Sequence, residues 1–304
     1  MLSLTFLGTS AACPTVDRNT AGIALHREGE TILLDCGEGT QRQMMRWNVG
    51  FTFREIFFSH YHSDHFIGLI GLVRTMGLMD RTEPVILYGP RGAQRVLGGA
   101  LAVGIERNKF PVEIVEVKPG DVIGRADYEI RVFETDHRAD TVGYALVEYE
   151  RLGRFNPELA RSMGIPEGPL WGRLHKGETI ALPDGRSVDA AQLVGPTRPG
   201  RTLLYTGDTR PHPAVISAAR GADLLVHEAT FSDADIERAR ETGHSTAREA
   251  AEVAREAGVR RLVLTHISPR YSLDAGELLT EARAVFPNTS IARDGWSVDV
   301  PFVE

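Results

Sequence analysis

The chain has 304 residues, 42% hydrophobic and 25% charged, an ordinary composition for a soluble globular protein. Its net charge of −7 argues against nonspecific binding along nucleic acid, which needs a positive surface, but leaves room for a local basic patch. No apolar stretch approaches the roughly 18–20 residues that cross a bilayer, and two cysteines, Cys13 and Cys36, exclude a disulfide framework and a Cys-based metal site.

The opening MLSLTFLGTS lacks the basic segment and long apolar core of a signal peptide, so a cytoplasmic location is expected. It reads as a first strand over 2–8. Strands at 21–27 and 31–37 follow, then a helix at 37–47, a strand at 55–60 and a helix at 64–77. A strand at 85–89 and a helix at 90–101 precede two strands, 128–135 and 141–150. The second half carries strands at 202–208, 223–228 and 261–266, with helices at 245–258 and 274–286. The pair Ser245-Thr246 supplies the N-cap of the first of these helices, Glu249 stands in its first turns, and Gly258 stops it.

Residues 150–200 break this alternation. They are rich in Gly and Pro and poor in buried-strand signals, so an irregular inserted arm is expected within a single domain spanning 1–304. From Arg151 to Lys176 there are five basic residues (Arg151, Arg154, Arg161, Arg173, Lys176) against Glu158 and Glu167, with Phe155 and Trp171 interleaved. Such a run is usually a solvated face, yet it is also what local RNA contact requires. GPTRPGR, 195–201, reads either as a basic loop touching phosphate or as a polar turn.

The densest chemistry lies in SHYHSDHFIGL, 59–69. A lone His at a strand end is usually a surface or core residue. Three with an Asp, as His60-x-His62-x-Asp64-His65, form a donor set that zinc, iron and manganese accept. Residues two apart in an extended segment point the same way, so His60 and His62 can share one metal. Asp64 and His65 fall where the chain turns into a helix and can face a second. Apolar strands elsewhere also end in ionisable residues: Asp208, His227 with Glu228, and His266. In layered α/β folds, sites gather at the carboxyl ends of strands, which makes these residues one expected cluster.

These motifs, with His137 in FETDHRADTVGY, Asp208 in YTGDTR and His266 in VLTHIS, resemble the metallo-β-lactamase superfamily. Within it, the chain resembles ribonuclease Z, the tRNA 3′-endonuclease. LTFLGTSAACPTVDRNT, LLDCGEGTQRQ, HEATF, HST and LTHISPRY carry that likeness, and GIPEGPLWGRLHKGETI falls where bacterial members bear a tRNA-binding arm. The resemblance implies an α/β, four-layer αββα sandwich and two zinc ions per subunit. His60, His62 and His137 would hold one, Asp64, His65 and His266 the other, with Asp208 bridging through its two oxygens. It also implies a homodimer, precursor tRNA as partner, and arm residues Arg151, Arg154, Arg161, Trp171, Arg173 and Lys176 as RNA contacts.

The expected reaction removes the 3′ trailer by attack of a metal-bound hydroxide, leaving a 3′-hydroxyl on the tRNA and a 5′-phosphate on the trailer. His244, oriented and kept protonated by Glu228, is the candidate donor to the leaving oxygen, and His227 a supporting or phosphate-contacting residue. The bland reading of His244 is a neighbour of the helix cap. Asp64 is commonly described in the family as the proton acceptor, but a metal-bound carboxylate is a weak base and more plausibly orients the hydroxide. The His-x-His-x-Asp-His motif alone also fits a dinuclear-metal hydrolase of small phosphodiesters or esters on the same scaffold.

Overall fold

The computed structural model describes every residue except Glu106, Pro183 and Glu304. The first half contains β1 (Leu2–Gly8), β2 (Gly22–Arg27), β3 (Glu30–Leu34), α1 (Thr40–Arg46), β4 (Glu55–Phe57), α2 (Ser63–Phe66), α3 (Leu69–Leu78), β5 (Val85–Gly89), α4 (Ala93–Leu101) and β6 (Val112–Glu116). Then come β7 (Val122–Gly124), β8 (Tyr128–Glu134) and β9 (Val142–Glu148), followed by the arm with α5 (Pro157–Ser162), α6 (Pro169–His175), β10 (Ile180–Ala181) and β11 (Ser187–Val188). The chain closes with β12 (Thr202–Tyr205), α7 (Pro213–Ala218), β13 (Leu224–Glu228), α8 (Ile236–Thr242), α9 (Ala247–Ala257), β14 (Leu262–Thr265), α10 (Gly276–Val285), β15 (Thr289–Ile291) and β16 (Ser297–Asp299).

Two seven-stranded sheets result, ordered β16-β1-β2-β3-β4-β5-β6 and β15-β14-β13-β12-β9-β8-β7. Strand periodicity explains why they stack. In β1, Leu2, Leu4 and Phe6 join the core between the sheets, while Leu7 faces the layer under α1, α3 and α4. In β13, Leu224 and Val226 face the other sheet, and Leu225 packs under α9. Three apolar layers therefore separate four structural layers, and strands covered on both faces read as continuous apolar runs.

Departures from the expected elements have local causes. The helix expected at 64–77 is broken into α2 and α3 because Gly68 docks on the turn after β3: its N–H donates to Cys36 O, and a Cβ there would lie 1.9 Å from Gly37 O. The strands β6, β7, β15 and β16 add to those expected; they are sheet edges, three to five residues long, without a continuous apolar signature. Helix α9 is capped by Thr246 rather than by the Ser245-Thr246 pair, in a capping box with Glu249; Ser245 donates instead to Thr209 O. The arm is not irregular, since α5, α6 and the β10–β11 hairpin enclose a small core of Ala160, Ile165, Leu174, Ile180, Val188 and their neighbours. Among the described residues, no helix is long and apolar enough to cross a membrane.

Opposite the strand ends that carry the histidines, the sheets are joined by a buried ion cluster. Glu148 of β9 accepts from Arg27 Nε of β2 at 3.0 Å and from Arg201 Nε and Nη2 at 2.8 and 2.7 Å. All three side chains are at most 8% exposed. Glu148→Ala takes the close carboxylate from buried Arg201 and leaves Arg27 with Asp127 alone, and is expected to cost about 3–5 kcal/mol, read as a fall in the urea midpoint. Burial opposes ionisation of Glu148, but Arg201 and then Arg27 outweigh it and hold the carboxyl below its usual range. Its contribution is therefore present above the unfolded carboxylate range and fades as pH falls through the folded value.

Candidate metal centre

The ends of β4, β12, β13 and β14 converge at one edge of the sandwich, together with the turn between β8 and β9. After β4 the chain stays extended through His62 and then enters α2, so His60 and His62 point one way and Asp64 and His65 another. The strand β12 runs through Gly207 to Asp208. Gly207 has φ 60°, and a Cβ there would stand 2.5 Å from Ser59 Cβ, so only glycine lets this turn press against the other sheet. His266, one residue past β14, is itself left-handed at φ 56°, as are Ala12 at 61° and Asp35 at 56°. Three of the six non-glycine residues with left-handed φ among the described residues thus lie at the cluster.

Two donor sets meet there. In the first, His60 Nε2 and His62 Nδ1 are 2.9 Å apart, and His137 Nε2 is 3.2 Å from His62 Nδ1. In the second, His65 Nε2 and His266 Nε2 are 3.3 Å apart, with Asp64 Oδ2 at 3.5 and 3.3 Å from them. Asp208 Oδ2 lies 3.3 and 3.4 Å from His65 and His266, and 3.6 and 3.9 Å from His60 and His137. One oxygen therefore faces both sets, rather than one oxygen for each, while Oδ1 is buried without a hydrogen-bond partner.

The fit to a divalent metal follows from these spacings. Four ligands about 2.0–2.1 Å from a tetrahedral zinc are separated by about 3.3 Å, close to the distances seen. Three imidazole nitrogens aimed at one point repel one another unless a cation lies between them. The outer nitrogens are held so that the inner ones remain free to ligate: His60 Nδ1 meets Ser59 Oγ at 3.1 Å, His65 Nδ1 Asp35 Oδ2 at 2.8 Å, His137 Nδ1 Gly243 O at 2.7 Å, and His266 Nδ1 Thr230 Oγ1 at 2.9 Å. His62 is exposed, which leaves the first set open to solvent on one side.

The protein's own charges polarise the cluster. Burial, then neighbouring His65, pushes the His60 ring well below the ordinary value. Burial also opposes protonation of His65, but Asp208, Asp35 and Asp64 together raise it well above. Burial would raise the carboxyls of Asp64 and Asp208, yet His65 and His266 hold both low. Asp64 Oδ2 also accepts from Ala12 N at 2.8 Å, which further favours the anion.

Beside this cluster stands a second pair. Glu228 is 1% exposed and accepts from His244 Nδ1 at 2.8 Å, Thr209 N at 3.0 Å and Thr230 Oγ1 at 2.7 Å. Burial lowers the His244 ring, but Glu228 more than offsets it, and the ring is raised to about 9. Its centroid lies 4.9 Å from that of His137 and 5.3 Å from that of His266, at the mouth between the two sets.

Other expected site residues lie elsewhere. His227 points to the opposite face of β13 from Glu228, is wholly buried, and donates from Nδ1 to Glu228 O, so it cannot meet a phosphate. Trp171 is not a free platform: it packs on Phe155 at 5.3 Å, donates to Ile165 O and lies under Arg161. Arg161 and Arg173 are exposed and paired with Glu167 and Glu178, Arg154 and Lys176 are exposed, and Arg151 stands at the arm's root. GPTRPGR is the arm's return to the body, with Arg201 buried in the ion cluster. Asp35, which is not among the expected site residues, belongs to the site through His65. Its signal was a carboxylate closing the apolar run TILLD, the same mark that singled out Asp208.

Residues 2–152 match the family model for the anti-Pycsar protein Apyc1, and residues 182–267 match that of the beta-lactamase superfamily domain. The stretch between the two matches is the outgoing part of the arm. A ribonuclease Z of Gemmatimonas aurantiaca is 57% identical over 100% of this chain and 97% of its own length. That of Myxococcus xanthus is 54% identical over 99% of this chain and 98% of its own. The crystal structure of human tRNase Z, short form, superposes with a TM-score of 0.72 at 27% identity, covering 99% of this chain and 100% of that one.

Asp35→Asn keeps the size of the side chain but removes the charge that orients His65 and turns an amide NH2 toward a group that donates to the carboxylate. It is expected to weaken metal binding at the Asp64, His65 and His266 set by about 10–100-fold, measured by competition with a chromogenic chelator.

Proposed function

The chain belongs to the ribonuclease Z family and has the metallo-β-lactamase fold, and from that premise we propose that it removes the 3′ trailer from precursor tRNA using two zinc ions. The carrying observation is the pair of donor sets sharing Asp208 Oδ2, with the His244 imidazole held beside them by Glu228. His60, His62 and His137 would hold one ion and Asp64, His65 and His266 the other, with Asp208 between. When bound, the two cations supply an activated water and offset the charge that builds on the scissile phosphate.

The chain's own residues provide the rest. The open side at His62 admits the phosphate. His244 presents Nε2 to the tRNA 3′-oxygen and delivers its proton as that oxygen leaves, while Glu228, saturated by Thr209, Thr230 and His244, fixes the ring and its charge. Asp64 serves as ligand and orienter. Its carboxyl is held well below the usual range and is a poor proton acceptor. The arm, with exposed Arg154, Arg161, Arg173 and Lys176, holds the tRNA body. The homodimer contact is placed at α1 and α3, where Met45, Leu78 and Met79 are exposed. Two free cysteines suit a cytosolic setting.

Incubation of the zinc-loaded protein with a 3′-extended tRNA precursor is expected to give one cut that leaves a 3′-hydroxyl and a 5′-phosphorylated trailer and is lost on chelation. Hydrolysis of a small phosphodiester with the precursor left intact would refute the substrate. His244→Ala is expected to lower single-turnover kcat by about 10²–10⁴ with precursor binding unchanged. Because Glu228 raises His244, the donor stays charged above the ordinary imidazole range, and activity is expected to fall as pH rises through the raised value. Glu228→Gln should shift this limb down toward the ordinary imidazole range, about 6.5, in the pH–rate profile.

A further inference from the structure

The arm joins the body through a two-stranded neck. Arg151 N donates to Arg198 O at 2.7 Å and Arg198 N to Arg151 O at 2.9 Å; further out, Asn156 N donates to Leu193 O and Gly195 N to Arg154 O. A two-stranded ribbon is marginal by itself and bends easily. At its root, however, the segment after β16 places Phe302 against it. The Phe302 ring lies between two guanidinium groups, with Arg151 Cζ 3.3 Å from its centroid and Arg201 Cζ 3.8 Å. The negative ring face screens the like charges and attracts both.

The two arginines differ in freedom. Arg201 is clamped, with its side chain 4% exposed, bonded to Glu148 and donating from Nη1 to Val300 O at 3.0 Å. Arg151 is the first residue of the neck, and its Nε donates to Pro199 O in the returning strand. The stack therefore runs from the buried ion cluster, through Phe302, to both strands of the neck. Phe302 itself is 36% exposed and belongs to no core cluster, so packing of the body does not account for it.

We propose that Phe302 is a positioning residue for precursor tRNA, setting the angle of the arm to the body and hence the reach from the arm to the metal centre. This rests on the reading that the arm holds the tRNA. The test compares the zinc-loaded full chain with Phe302→Ala and the conservative Phe302→Trp. In Phe302→Ala the neck amides of Arg151, Asn156, Gly195 and Arg198 are expected to exchange hydrogen about tenfold faster, with those of β13 unchanged. The KM for a 3′-extended precursor should rise by about the same factor, while its kcat and turnover of bis(p-nitrophenyl) phosphate stay as in the wild type. Phe302→Trp should restore both. Unchanged neck exchange overturns the proposal, as does an unchanged KM on a precursor that the wild type cleaves. Failure of the wild type to cleave any precursor counts against the tRNA reading instead, and the exchange rates then still decide whether Phe302 fixes the neck.

Discussion

The carboxylate of Asp35 is the point on which both sheets and the candidate site depend. It is wholly buried, and burying a charge is costly unless donors surround it. Four do: Ser59 N at 2.7 Å, Ser59 Oγ and His65 Nδ1 at 2.8 Å, and Tyr205 OH at 2.6 Å. Ser59 lies just past β4 of the first sheet, and Tyr205 ends β12 of the second. Satisfying one buried charge thus draws the two sheet ends together, sets the His65 ring and places Ser59 to receive His60. The left-handed backbone at Asp35 is tolerated because this network over-determines it.

Topology then delivers the remaining groups. The strands β12, β13 and β14 are parallel neighbours, so Asp208, Glu228 and His266 emerge side by side, one inter-strand spacing of about 4.8 Å apart. The first sheet contributes the His60–His65 turn to the same edge, and the β8–β9 turn adds His137. Two roles separate within a few ångströms because surroundings differ. Asp208 keeps one oxygen turned toward both histidine sets, whereas Glu228 spends its oxygens on Thr209, Thr230 and His244. The first is suited to cations and the second to keeping a ring charged.

The buried staple of Arg27, Glu148 and Arg201 closes the opposite end of the sandwich and also anchors the arm's root. One ion cluster therefore ties together the two sheets and the insertion.

Much of this was legible in the amino-acid order. Strands covered on both faces, such as β12 to β14, announce themselves as continuous apolar runs, and the ionisable residue ending each one marks the site. His60-x-His62-x-Asp64-His65 defines two facing donor pairs from strand and helix geometry alone. Short edge strands carry no such run, so β6, β7, β15 and β16 passed unseen. The arm was read as irregular because its small core is spread over segments too short for periodicity to register. The arm's charge could be counted, but not that Trp171 is spent on packing or that Arg201 is buried.

The sequence by itself determined that His60, His62, Asp64 and His65 form facing donor pairs and that Asp208 and His266 end strands at the same edge, because side-chain direction follows from local backbone periodicity, whereas His137 was marked only by the family resemblance. Only the tertiary structure decided that Asp208 Oδ2 faces both sets, and that Asp35 and Phe302 hold distant segments together. Those are contacts between residues up to 170 positions apart, and no local pattern encodes a pairing that depends on how two sheets close over a shared core.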